Sequence, residues 1–249
     1  MTTFTKKLFI NTRPLSSQER MKTFTNITRS STANFDYFLL VILSAVIATF
    51  GLLTDSAAVV IGSMLVAPLL PPILGIGLGT AIGESRLVRR SFLTLTLGAG
   101  LAIVLAAIIT VINLFMPFVD LQTLPAEVLA RTHPTLLDFG IALAGGLAVA
   151  YAYTRPNLSS VISGAAIATA LMPPLATVGI GIALLRWDVI SGAAFLFITN
   201  AVTILFASGL VFFTRGFASE ITLQRNQARR RLLILASPLL ALLILLFYI

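Results

Sequence analysis

Residues 67–79 read APLLPPILGIGLG, a Pro-Pro pair followed by alternating glycines, inside an apolar run that carries no charge from Ser56 to Gly83. A proline in a helix interior removes a backbone donor and clashes with the preceding turn, at about 3 kcal/mol. In lipid the freed carbonyl has no water to bond. A membrane-length segment broken in its middle therefore needs a compensating partner or a purpose.

The stretch recurs 102 residues later as TALMPPLATVGIG, 169–181. Without gaps, Gly62 meets Gly164, Leu69 meets Leu171, Pro71-Pro72 meet Pro173-Pro174, Gly77 meets Gly179 and Gly79 meets Gly181. The same offset pairs Asp36 with Asp138, each opening a helix, and Asp55 with Asn157 as caps. Agreement at one offset predicts a duplication of two three-helix units, 36–115 and 138–213. An odd number of spans per unit turns the second copy upside down, as in the inverted repeats of secondary transporters.

Composition sets the class. The chain has 249 residues, 57% hydrophobic and 10% charged, with several uncharged stretches of about 18 residues or more, enough to cross ~30 Å of hydrocarbon. The expectation is an all-α integral membrane protein with seven transmembrane helices, at 36–53, 56–83, 91–115, 138–154, 158–185, 189–213 and 232–249. Helices two and five are broken at Pro-Pro, and the seventh stands outside the repeat. The regions between are a basic arm (1–35), an external loop (116–137) and a basic cytoplasmic loop (214–231).

Charge orients this arrangement. Lys6, Lys7, Arg13, Arg20, Lys22 and Arg29 lie in the arm, Arg86, Arg89 and Arg90 after helix two, Arg155 after helix four, and Arg215, Arg225, Arg229, Arg230 and Arg231 after helix six, 15 of the 17 basic residues. Arg131 and Arg186 remain for the other side. The positive-inside rule puts the N-terminus inside and the C-terminus outside. The first ~34 residues lack the apolar core of a cleavable signal. Because the basic residues flank apolar spans, the net charge of +8 points to membrane orientation and anionic headgroups and away from nucleic acid.

Matched proline breaks in two halves are the sequence pointer to a midplane site. Pro71 and Pro173 each fit the start of a half-helix whose positive end faces an anion or polar solute. The substrate-binding candidates are Pro71, Pro72, Gly75, Gly77, Gly79, Pro173, Pro174, Thr177, Gly179 and Gly181, joined by Ser63, Thr199 and Asn200. For the glycines the competing role is close helix packing. Asn200, in FLFITNAVTILF, carries an amide that costs several kcal/mol if left unpaired in lipid.

Other chemistry finds little footing. TVGIG at 177–181 looks like a potassium-filter sequence, yet it runs into apolar IALL, and the first copy reads GIGLG. Asp36, Asp55, Glu84, Asp138 and Asp188 all sit at span ends, where helix capping is the expected role. Zero cysteines and the single His133 leave no thiolate or histidine metal cluster. No Ser-His, metal or paired-carboxylate constellation lies at span depth, so no enzyme and no cofactor are expected.

The stretches DSAAVVIGSMLVAPLLPPILGIGLG (55–79) and ALMPPLATVGIGIALLRWDVISGAAFLFITN (170–200) resemble the uncharacterised hydrophobic domain family of prokaryotic membrane proteins, domain of unknown function 389. The family usually has Asn before the Ser, where this chain has Asp55. The resemblance implies the prokaryotic cytoplasmic membrane and no particular activity. The expected function is a secondary transporter or facilitator of a small polar or anionic solute. An oligomeric ion channel, which needs further copies of the chain, and a non-transporting scaffold or sensor are the alternatives.

Overall fold

The computed structural model describes residues 15–120, 123–155, 158, 170–217 and 237. Among them all regular structure is helical: α1 (Ser17–Ser30), α2 (Phe35–Leu53), α3 (Ala57–Val66), α4 (Leu70–Ile82), α5 (Ser85–Phe115), α6 (Ala126–Leu129), α7 (Leu136–Tyr153), α8 (Met172–Ala183) and α9 (Trp187–Thr214).

Four of these, α2, α5, α7 and α9, are long and apolar enough to cross a bilayer, and α3 with α4 makes a fifth crossing if the pair, bent by 49°, is one span. The chain is a membrane protein by this measure. Of the expected fifth span, 158–185, residue 158 and residues 170–185 are described, with a helix at Met172–Ala183, and the expected seventh, 232–249, lies outside the described residues apart from residue 237, as does Asn157.

Local chemistry explains where the helices start. Ser16 Oγ accepts from Glu19 N at 3.2 Å and Glu19 Oε2 accepts from Ser16 N at 2.8 Å, a capping box. α1 thus folds the part of the arm nearest the membrane into a helix that the sequence reading did not anticipate. Thr135 and Asp138 form the same device at α7, and Asn34 caps α2.

Asp55 departs from expectation. It does not cap α3, whose start has no side-chain cap. Its Oδ1 instead accepts from Glu127 N at 2.7 Å, so it caps the short α6 from 72 residues away. The carboxylate fixes the α6 segment to the α2–α3 corner.

Three helix corners share one geometry. Asp55, Gly83 and Leu185 have φ of 53°, 82° and 54°. The next N–H donates back to a glycine carbonyl: Ser56 to Gly51 at 2.8 Å, Glu84 to Gly79 at 2.8 Å and Arg186 to Gly181 at 2.9 Å. This is a left-handed C-terminal cap, free of strain for Gly83 but costing about 1–2 kcal/mol for a side chain such as Leu185. A Cβ on Gly51, Gly79 or Gly181 would stand 2.8, 3.1 or 3.1 Å from the backbone N of Val60, Val88 or Ile190. The absence of a side chain there lets consecutive helices fold back tightly.

The central packing is a ring: α4 lies against α5 and α9, and α8 lies against the same two helices. α7 covers α9, while α2 covers α3, α5 and α8. α4 and α8 share no extended contact. Among the described residues the two proline-bearing halves meet through α5 and α9, each of which takes up both, and α8 touches the first broken helix at α3.

α1 closes one end. Thr23 Oγ1 donates to Tyr153 O at 3.2 Å and Ser31 Oγ to Pro71 O at 2.7 Å. The guanidinium of Arg215 sits 4.7 Å from the Tyr151 ring centre and that of Arg155 5.9 Å. The other end holds the Arg131–Glu127 and Arg186–Asp188 ion pairs, at 2.9 and 2.6 Å.

Candidate functional site

The proline break lies at 67–69. α3 ends at Val66, Ala67 is extended (φ −63°, ψ 120°), and α4 restarts at Leu70. Pro71 and Pro72 fall in the first turn of α4, and Pro173 and Pro174 in the first turn of α8. First-turn N–H groups have no partner inside a helix, so proline there removes donors that would be orphaned anyway. Neither pair carries the ~3 kcal/mol penalty of an interior proline.

Hydroxyls serve the carbonyls around the break. Ser44 Oγ donates to Ser63 O at 2.8 Å, and Ser31 Oγ to Pro71 O. Ser63, a candidate from sequence, is already bonded through its hydroxyl to Val60 O at 2.6 Å. The proline pairs have a second consequence: each half-helix start loses two of its four free N–H groups. The amide cradle expected from the sequence is correspondingly poorer, although the positive end of the dipole remains.

The candidate glycines are seats for neighbouring helices. A Cβ on Gly179 would strike Ile103 O, Ala106 Cβ and Ala107 N of α5, and one on Gly77 would strike Ser208 Oγ, Leu205 O and Gly209 N of α9. These contacts correspond residue by residue at the offset of 102, since 103, 106 and 107 answer to 205, 208 and 209. Gly79 and Gly181 serve the corners described above. Gly75 leaves room for Ser31 and Ser91. Packing uses the space that the sequence reading offered to a ligand.

What packing does not use are the polar atoms. Among the described residues Thr177 Oγ1, Thr199 Oγ1 and Asn200 Oδ1 are buried without a hydrogen-bond partner, and so is Ser91 Oγ, which sequence reasoning passed over. Thr177, Thr199 and Asn200 are 0, 3 and 4% exposed. The next hydroxyl, Thr203 Oγ1, donates to Thr199 O at 2.7 Å, showing how an α9 hydroxyl is normally satisfied. Buried polar groups left unpaired are rare in native structures.

Position makes Thr199 and Asn200 informative. Thr199 is 12 residues into the 28-residue α9, about 18 Å along a helix of about 42 Å, close to its midpoint. Gly181 meets Ile190 across the α8–α9 corner. Following both helices from there at equal rise puts Thr199 and Asn200 level with the proline end of α8.

A cleft of about 590 Å³ lined by Thr132, His133, Asp188, Ser191, Gly192 and Phe195 opens at the start of α9. Gly192, Phe195 and Thr199 follow at the i, i+3, i+7 spacing of one helix face. Thr199 lies one to two turns beyond the cleft's lining on that face and is buried.

A family model described as domain of unknown function (DUF389) matches residues 64–206. An uncharacterized protein of Methanocaldococcus jannaschii is 29% identical over 195 residues, covering 77% of this chain and 58% of the relative, so the chain spans under two thirds of that protein's length. No solved structure matches.

Proposed function

We propose a function for a chain that belongs to the DUF389 family: it is a membrane transport protein, a secondary transporter or facilitator of a small polar or anionic solute. Its site is the buried region at the proline end of α8, with Thr177, Thr199 and Asn200 as the solute's polar partners. The observation that carries the reading is the set of atoms without a partner among the described residues, Thr177 Oγ1, Thr199 Oγ1 and Asn200 Oδ1. An apolar bundle that retains such atoms loses about 1–3 kcal/mol for each unless a ligand or water meets it. The cleft at Thr132 and Phe195 is the entrance, and the role is binding and passage without catalysis.

The test is flux. In liposomes, protein-dependent shrinkage or swelling is expected in at least one of glycerol, urea, sodium formate and sodium bicarbonate, saturating as the solute concentration rises. If none crosses faster than through protein-free vesicles, the transport reading fails. Unitary currents in planar bilayers would replace the carrier by a channel.

The finer architecture proposed with this function is two inverted three-helix units and a seventh helix, in the prokaryotic cytoplasmic membrane with the N-terminus inside. Three observations support it: the reciprocal seats of Gly77 on α9 and Gly179 on α5, the matching corners at Gly83 and Leu185, and the collection of α1, Arg155 and Arg215 at one end. The chain has no cysteine background, so a membrane-impermeant maleimide is expected to label Ser85→Cys only from the inside and Ala126→Cys only from the outside. Both residues are exposed. Labelling of the two from one side would remove the inverted arrangement.

A further inference from the structure

We propose that the cleft between α1 and the start of α5 is a binding site for an anionic phospholipid. The cleft encloses about 800 Å³, and Arg86, Arg89, Arg90, Leu93 and Leu97 are among its lining residues on α5, with Phe24 and Thr28 on α1. This site is separate from the buried region around Asn200. It depends on α5 standing in a bilayer and not on the transport reading.

Charge is the first argument. The three arginines are exposed, and none forms an ion pair among the described residues. Glu84, the one acid in the lining, is turned onto the backbone and accepts from Arg86 N at 3.3 Å. Three guanidinium groups around one cleft match a phosphodiester, since each presents its donors in the fork that phosphate oxygens accept. Thr28 Oγ1 is buried without a partner among the described residues and adds a neutral hydroxyl to the same wall.

Depth is the second argument, and it selects a lipid over free phosphate. α5 has 31 residues and is about 46 Å long, against about 30 Å of hydrocarbon, so its first turns stand in the headgroup layer. Arg86–Arg90 occupy those turns. Immediately beyond them Phe92, Leu93 and Leu97 are 57, 49 and 55% exposed, presenting an apolar strip where the upper acyl methylenes of a bound lipid lie. A soluble phosphate has no use for that strip. Basic pockets of this kind between helices hold anionic headgroups in other membrane proteins.

α1 supplies the remaining wall and is fixed there by the bonds of Thr23 to Tyr153 O and Ser31 to Pro71 O. A bound headgroup would therefore tie the arm helix to the start of α5.

The experiment is native mass spectrometry of the full chain from detergent with added lipid. Phosphatidylglycerol adducts are expected to survive activation that strips phosphatidylcholine, and the midpoint of thermal unfolding is expected to rise with phosphatidylglycerol and not with inorganic phosphate at equal concentration. Each of Arg86→Gln, Arg89→Gln and Arg90→Gln should cut the retained lipid at least threefold, and the triple change at least tenfold. Arg131→Gln, at the other end, should retain it. Should the triple variant fail to fold, the single variants decide. Equal retention by the variants and parent, equal retention of the two lipids, or stabilisation by inorganic phosphate alone each overturns the proposal.

Discussion

Replacing Gly179 with alanine is expected to destabilise the protein by about 3 kcal/mol, while the same change at Gly77 costs about 1 kcal/mol, within the range of overpacked cores. The positions correspond at the offset of 102, but their surroundings differ. Around Gly179 the obstacles are Ile103 O, Ala106 Cβ and Ala107 N, none of which can move without shifting α5. Around Gly77 the nearest obstacle is Ser208 Oγ, whose hydroxyl can rotate away by giving up its 2.9 Å bond to Leu205 O.

The check is the midpoint of thermal unfolding in detergent, where the Gly179 variant should fall by roughly 5–10 °C. Ser208→Gly should restore most of the loss in Gly77→Ala. Ala106→Gly should restore only part of the loss in Gly179→Ala, because the carbonyl of Ile103 remains. If the two glycines prove equally tolerant, the close approach of α8 to α5 is wrong.

The same glycines mark where sequence reading stops. Apolar length made the ends of α2, α7 and α9 legible to within two residues, but α5 begins at Ser85 and not at the expected 91, because its first turns carry Arg86, Arg89 and Arg90 and do not look apolar. The break was legible too, because a proline pair inside a membrane helix frees carbonyls that lipid cannot satisfy. Whether a glycine clears space for a ligand or for another backbone is decided by a partner some 70 residues away for Gly179 and some 130 for Gly77, and the two needs leave the same letter. Asp55 was misassigned for that reason: its partner Glu127 N lies across the fold.

α1 is a different case. Its Ser16–Glu19 capping box is a readable local signal, but the basic composition of the arm drew the interpretation toward solvent and headgroups. Of the candidates read from sequence, Thr177, Thr199 and Asn200 keep a buried polar atom without a partner among the described residues, whereas the Ser63 hydroxyl is bonded to Val60 O and the glycines are taken up by packing.

Replacing Asn200 with leucine is expected to separate stability from function. Asn200 is 4% exposed and its Oδ1 has no partner among the described residues, so folding the empty protein leaves an amide carbonyl dry at about 1–3 kcal/mol. Leucine is close in volume and has no group to satisfy, and an apolar replacement of a poorly satisfied polar residue is neutral or stabilising. The thermal midpoint should hold or rise.

Flux of whichever solute the parent carries should fall at least tenfold, because the solute then loses a bond at a depth with no water to replace it. Thr199→Val should act in the same direction and more weakly, a hydroxyl being the smaller partner. The double variant should lose less than the product of the single effects, as residues sharing one ligand do. An Asn200→Leu protein that unfolds earlier while transporting at the parent's rate would make Asn200 a packed structural amide, leaving the half-helix starts as the remaining ground for a midplane site. A variant that is both stable and silent would put the solute beside Asn200, at the depth where α8 begins.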